Sequence, residues 1–330
     1  MSSKSKIVIT GIAGFAGSYL AENLLSHGHS VYGLLAPQEK LTNIIQIENQ
    51  ITMERLNLAH RTKVHNYLKK VNPEYIFHLA ARASVHKSIR EERPTYNVNI
   101  FGSLNILEAA AFLGNRLKRL VLISSADVYG IFYPKAKTLK ETEPLNPISP
   151  YGISKAAMEY IANYYRRQYG IPVVIVRSFN HTGPRQSATF VVPSFCKQIA
   201  AIEAGRVKSQ IAVGNLSRER DLSDVRDVVE GYRLAALKGK PGEVYHLCSG
   251  RTVSLKRVLN ELLKMSDLKI KIILDENRLR KSDIPILKGD NRKAIRELGW
   301  HGRYDLKTTL KDALDYWREK MGNRFQRGKK

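Results

Sequence analysis

Lys6-Ile-Val-Ile-Thr-Gly11-Ile-Ala-Gly14-Phe-Ala-Gly17 is the stretch on which the fold turns. Its first half is a short β-branched run, which by length and composition reads as a buried strand. The glycines follow as Gly-x-x-Gly-x-x-Gly. Leu20, Leu24 and Leu25 then recur at a helical period up to His27-Gly28. Strand, glycine turn and helix in that order is the context in which a dinucleotide is held. Glycines let the backbone approach a pyrophosphate, and the helix N-terminus faces the anion. Gly11, Gly14, Phe15, Ala16 and Gly17 are therefore candidate cofactor contacts. A plain strand-turn-helix is the competing reading.

The alternation continues outward. Ser30 to Leu35 reads as the second strand. An acid at its end would bind the ribose 2′-hydroxyl of NAD, and a base would suit the 2′-phosphate of NADP. Leu35, Ala36, Pro37 and Gln38 are neither, and Lys40 is the nearest cation. NADP or NAD is expected, with NADPH slightly favoured. Asn57 and Leu58 end a third strand-like piece, where an adenine edge is expected. Glu74 to Ala81 is the next strand and its exit; Leu79, Ala80 and Ala81 leave room for a cofactor. His78 lies inside this apolar run and reads as a core histidine rather than a catalyst. Asn97 to Ala111 reads as one long helix with Asn99 near its start, and Leu120 to Ser125 as a strand ending in two hydroxyls. The chain is thus of the α/β class, a Rossmann-type doubly wound parallel sheet. Ligands of such sheets lie beyond the C-terminal strand ends, which puts Gly11, Ala80, Ser125 and Tyr151 on one rim.

Tyr151-Gly-Ile-Ser-Lys155 places a phenol and an ammonium on one face of a helix. A nearby cation favours phenolate, so the tyrosine is expected to be acidified. Taken alone, a packed tyrosine and a solvated lysine explain the pair as well. Cys196 and Cys248 lack metal-ligand spacing and read as buried free thiols; no metal is expected. With 54 Lys+Arg against 30 Asp+Glu the net charge is +24. The cations are spread along the chain and densest at the tail (Arg324, Arg327, Lys329, Lys330), and no nucleic-acid-binding motif accompanies them. Nucleic acid is therefore set aside as the main partner, and an anionic small substrate profits from the same field. No apolar run reaches membrane-spanning length and no signal-peptide pattern opens the chain, so the cytoplasm is the expected location.

Gly11-x-x-Gly14-x-x-Gly17, His78-Leu-Ala-Ala81, Ser124-Ser-Ala-Asp-Val-Tyr-Gly130 and Tyr151-x-x-x-Lys155 together resemble the extended short-chain dehydrogenase/reductase family, in its nucleotide-sugar branch. The resemblance covers nearly the whole chain. It implies Ser125, Tyr151 and Lys155 as the catalytic triad, with Tyr151 as acid/base and Tyr151 and Lys155 also against the cofactor. It further implies that Asn99 holds the lysine through water. In the second half, Arg177-Ser-Phe-Asn-His-Thr-Gly-Pro184 looks like the turn where Asn180 meets the sugar or its phosphates. Val191 lies where a helix opens and its amides face an anion. Arg220 in Arg220-Asp-Leu-Ser-Asp-Val and Arg280 in Arg278-Leu-Arg280 resemble diphosphate ligands; surface arginines are the competing reading.

These second-half stretches look most like the GDP-6-deoxy-4-keto-D-mannose reductases, whose close relatives are the GDP-mannose 4,6-dehydratases. The expected activity is NAD(P)H-dependent reduction of a GDP-4-keto-6-deoxy-hexose. The alternatives are a 4,6-dehydratase, another sugar-nucleotide 4-epimerase, or a non-enzymatic dinucleotide sensor or nucleic-acid binder. A dehydratase carries a carboxylate, usually glutamate, beside the triad serine to abstract a proton from C5. Asp127 holds that place with a shorter arm, and capping of its turn is the preferred reading. The expected organisation is a cofactor domain over 1–177 plus about 223–248. A smaller, discontinuous substrate domain takes about 178–222 and 249–330. The resemblance also implies a homodimer formed by the helices at 97–112 and 151–168.

Overall fold

In the central strands Lys6–Thr10, Tyr75–His78 and Arg119–Ser125 nearly every residue is buried, because both faces of the sheet are covered there. The computed structural model describes residues 4–131, 138–279 and 284–322. In chain order the elements are β1 (Lys6–Thr10), α1 (Phe15–Ser26), β2 (Ser30–Leu35), β3 (Thr52–Arg55), α2 (Arg61–Val71), β4 (Tyr75–His78), α3 (Val85–Arg90) and α4 (Glu92–Tyr96). A π-turn (Asn97–Phe101) leads into α5 (Gly102–Ala111), then β5 (Arg119–Ser125), α6 (Pro150–Tyr169), β6 (Val173–Ser178), β7 (Asn180–Thr182) and α7 (Val191–Glu203). The chain ends through β8 (Gln210–Val213), β9 (Glu219–Asp224), α8 (Val225–Lys238), β10 (Val244–Leu247), β11 (Thr252–Ser254), α9 (Leu255–Leu263), β12 (Lys271–Leu274), β13 (Ile286–Leu287), α10 (Arg292–Leu298) and α11 (Leu306–Lys320).

Seven parallel strands form the main sheet in the order β10-β6-β5-β4-β1-β2-β3. Successive residues of one strand feed opposite cores. Ile7 and Ile9 pack with Leu20 and Leu24 of α1 and Val228 of α8. Val8 packs in the other core with Val64 of α2, Ile106 of α5 and Met158 of α6. The strand order reverses between β1 and β4, and at such a switch point the loops part and leave a crevice. The chain forms α8 after Asp224 and β10 in the run from Glu243, and β10 rejoins the sheet at the edge of β6.

A second, smaller layer takes β7, β11 and β13 around β9, and pairs β12 with β8 in a separate two-stranded sheet. Its core is Phe195 of α7, Leu259 of α9 and Leu314 of α11. Helix α6 is bounded as its sequence dictates. The Ser149 hydroxyl accepts from the Gly152 amide at 3.1 Å, Pro150 occupies the first turn, and Gly170 closes the helix at φ +69°.

The expected helix from Asn97 to Ala111 is present, its first five residues forming a π-turn that runs without a break into α5. Cys196 and Cys248 are buried free thiols. No helix among the described residues is long and apolar enough to cross a membrane. The basic tail cluster lies outside the described residues.

Candidate active site

The glycine turn is held by its own backbone. Gly11 sits at φ +70°, its amide bonds to the Leu34 carbonyl, and the Gly14 amide bonds back to the Gly11 carbonyl, each at 3.0 Å. A β-carbon on Gly17 would stand 2.1 Å from the Gly11 carbonyl oxygen. Gly14 precedes α1 without a side-chain cap, so the first amides of the helix are left for a ligand. A cleft of about 980 Å³ passes this turn. Gly11, Gly14, Phe15, Ala16 and Gly17 line it, with Asn57, Leu58, Leu79, Ala80 and Ala81. A compact glycine turn, open helix amides and a small-residue exit from β4 fit a dinucleotide, which supplies or takes up hydride when bound. Asn57 and Leu58 lie just past β3 rather than within it.

The same cleft continues to Ser125, Asp127, Tyr151 and Lys155. Ser125 ends β5 and caps the short turn that follows by accepting the Asp127 amide at 3.1 Å. This corrects the expected role of Asp127: the serine is the cap. The Asp127 carboxylate accepts the Ser125 hydroxyl at 2.9 Å on the cleft wall. The Tyr151 phenol lines the same stretch of the cleft.

Lys155 does not hydrogen-bond the Tyr151 phenol. Its ammonium passes the phenol ring, 5.9 Å from the centroid, and donates to the Ile123 carbonyl at 2.6 Å. Burial, and then the Asp127 charge, push the Tyr151 phenol well above its ordinary range, and the nearby Ser125 hydroxyl works against them. Burial also lowers Lys155 to about 8. A shared helix face brought the two side chains together, but the longer one found a backbone partner.

Asn99 is fully buried and does not reach the cleft. In the π-turn its side chain accepts the Arg82 amide at 2.8 Å and donates to the Ser154 hydroxyl at 2.9 Å, beside Lys155. His78 is a core residue. Its ring bonds Thr10 and Ser103, each at 2.8 Å, and burial lowers it to about 3.

Asn180, Val191 and Arg220 all line the far arm of the cleft. Val191 opens α7, and Arg220 donates to the carbonyls of Glu219 and Ile284, each at 2.8 Å. Arg280 lies outside the described residues. Three cleft residues escaped the sequence reading. His181 stacks on Phe15 with centroids 5.8 Å apart. Arg185 holds φ +71°, pairs with Glu22 at 2.7 Å and covers the Tyr19 ring. Arg278 donates to the Ser194 hydroxyl of α7 at 3.1 Å. Arg278 stands in the run quoted for Arg280, but Arg185 had no signal beyond following Gly183-Pro184.

Residues 8–313 match the family model described as GDP-mannose 4,6 dehydratase. The chain is 27% identical over 316 residues to the GDP-6-deoxy-D-mannose reductase of Pseudomonas aeruginosa, covering 96% of this chain and 98% of that protein. The structure of RMD from Pseudomonas aeruginosa complexed with NADPH superposes with a TM-score of 0.82 at 26% identity, over 96% of this chain and 99% of that one. The UDP-glucose 4-epimerase of Thermus thermophilus in complex with NAD gives a TM-score of 0.85 at 27% identity, over 95% and 99%. A nicotinamide-ready cleft on a doubly wound sheet and a match along most of the sequence converge: the chain belongs to the GDP-mannose 4,6-dehydratase family, within the NAD(P)-dependent extended short-chain dehydrogenase/reductases.

Proposed function

We propose that the protein reduces the C4 keto group of a GDP-4-keto-6-deoxy-hexose at the expense of NAD(P)H. The expected product is GDP-6-deoxy-D-mannose, also called GDP-D-rhamnose. The observation that carries this reading is that Ser125, Tyr151 and Lys155 line one cleft with the glycine turn. The likeness to the Pseudomonas aeruginosa reductase supports the choice of substrate. NAD(P)H held by the glycine turn, Ala80 and Ala81 would supply the hydride to C4. Tyr151 gives its proton to O4 as negative charge develops there, and Ser125 donates a hydrogen bond to the same oxygen. A phenol raised by burial is protonated throughout the neutral range, which suits an acid in the reducing direction. Lys155 supplies a positive charge behind the phenol. Asn180, the start of α7 at Val191 and the arginines Arg220 and Arg280 are assigned to the nucleotide sugar.

The division into 1–177 plus about 223–248 for the cofactor, and about 178–222 plus 249–330 for the sugar nucleotide, belongs to the same reading. So does a homodimer. Ile153, Tyr160 and Tyr164 form a stripe along α6 that is 43%, 66% and 57% exposed, with Phe101 beside α5 at 53%. The positive field suits an anionic sugar nucleotide in the cytoplasm, and no role with nucleic acid is assigned to it.

The deciding assay offers GDP-6-deoxy-4-keto-mannose with NADPH or NADH and follows cofactor absorbance. Oxidation with a reduced GDP-deoxyhexose as product is expected. Conversion of GDP-mannose to the 4-keto sugar without net cofactor oxidation would instead make the protein a dehydratase.

A further inference from the structure

Behind Lys155 lies a charge pair that the proposed reaction does not use. Glu159 is one helical turn further along α6, and Arg177 comes from β6. The guanidinium grips the carboxylate from two sides: Nε lies 3.0 Å from Oε1 and Nη2 lies 2.7 Å from Oε2. Both side chains are buried, at 6% and 3% exposure. The Ser124 hydroxyl donates to the same carboxylate, and Ser124 directly precedes Ser125. The other arm of Arg177 donates to the Tyr129 phenol at 2.6 Å and to the Glu141 carbonyl at 2.9 Å. Each nitrogen of the guanidinium thus has a partner. Well-packed apolar side chains of similar volume commonly equal or exceed the stability of such a buried pair. Its presence therefore asks for a reason other than stability.

The surroundings of Lys155 suggest one. Its ammonium lies by the Tyr151 ring and donates to the Ile123 carbonyl on β5, and Glu159 follows it by four residues on the buried side of the same helix. From β4 it feels only His78, which burial keeps neutral. Asp127, on the turn after β5, acts on Tyr151. From α3 and α4 the buried polar groups are Ser88 and Thr95, and the charged residues of those helices are exposed. Arg177 on β6 stands beyond Glu159. Burial works against the charge of Lys155, and Glu159 works for it. We propose that Glu159, gripped by Arg177 and Ser124, is a positioning residue that sustains the positive charge of Lys155 without pairing to it. Arg177 prevents capture: a carboxylate already held on two sides cannot swing over to the lysine.

The inference rests on Lys155 belonging to the reactive cluster, and not on which sugar nucleotide is turned over. It is tested by NADPH and NADH binding, followed by cofactor fluorescence from about pH 6 to 9.5, with urea unfolding of each variant alongside. In the unaltered protein the affinity for the anionic cofactor should fall as pH rises through the range where Lys155 loses its proton. Lys155→Met should abolish that fall. Glu159→Gln should move it to lower pH by about half a unit or more, a roughly threefold loss of affinity at pH 8. Arg177→Met should move it to higher pH. The double variant Glu159→Leu/Arg177→Met should fold as stably as the parent and still show the fall at lower pH. A fall at the parental pH in folded Glu159→Gln and in the double variant would overturn the proposal. So would a parent affinity that does not change with pH. Because the readout is cofactor binding, failure to reduce any GDP-keto sugar would sink the proposed reaction and leave this result standing.

Discussion

Ser125 and Asp127 are joined twice: the serine Oγ accepts the Asp127 amide at 3.1 Å and donates to the Asp127 carboxylate at 2.9 Å. The carboxylate is thereby turned toward the serine hydroxyl. If it serves only to orient Ser125, Asp127→Ala should keep reduction of the 4-keto sugar within about tenfold. Loss of a working general base costs about 10²–10⁴. Tyr151→Phe should lose that larger factor in kcat. Steady-state rates of both variants decide; a collapse in Asp127→Ala equal to that in Tyr151→Phe would give Asp127 a proton-transfer role.

Gly17 is packed against the Gly11 carbonyl, and that carbonyl belongs to a turn with no slack. Gly17→Ala should cost about 1–3 kcal/mol of stability and abolish cofactor binding. Gly205→Ala is the control. It meets no atom within 4 Å, at φ +66°, so it should lose up to about 1–2 kcal/mol and bind cofactor normally. Urea unfolding with cofactor fluorescence separates the two; normal binding by Gly17→Ala would mean that the turn can open.

His78 and His246 are held neutral by burial down to about pH 3. The unfolded chain protonates its histidines near pH 6.5. Both folded values are depressed, so the stabilisation is complete above pH 6.5 and is lost as pH falls toward 3. Each histidine should contribute a slope of about 1.4 kcal/mol per pH unit across that window. Urea unfolding at several pH values should show the slope, and His78→Gln should remove one proton's share. An unchanged slope would mean that His78 is already protonated in the folded protein.

The aromatic stripe of α6 should be covered by a second copy. Tyr160→Lys combined with Tyr164→Lys places cations where exposed rings now stand. Sedimentation velocity should show a dimer for the parent and a monomer for the variant, with unchanged helical signal. A dimer that survives both substitutions would put the contact elsewhere.

What could be read from the sequence was what neighbours in sequence decide. The second strand, Ser30–Leu35, appears with the expected bounds, because β-branched and small residues lie between turn signals. The glycine turn and the helix after it also follow from local spacing. Three features did not. Ser125 takes the cap because β5 ends in an extended conformation that aims its hydroxyl at the next turn, and composition alone favours Asp127. Asn99 turns inward because a π-turn adds a residue to the helix and changes which side chains face the sheet. Lys155 and Tyr151 share a face, yet the Ile123 carbonyl that takes the ammonium lies 32 residues earlier. Sequence periodicity cannot rank such competing partners. The grip of Arg177 on Glu159 is likewise a contact between a strand and a helix, with no local pattern to announce it.

The last strand of the main sheet, β10, pairs with β6 only after the chain has passed through the smaller layer and α8 between residues 179 and 243. During synthesis, β6 emerges with one row of peptide groups unpaired and must wait for its neighbour. At about 5–20 residues per second the wait is roughly 3–13 s. An unpaired strand edge is a template for any other extended chain. The nascent protein therefore passes through a stage in which its cofactor-binding half is nearly complete but sticky along β6. A ribosome stalled before Leu247 would hold it there.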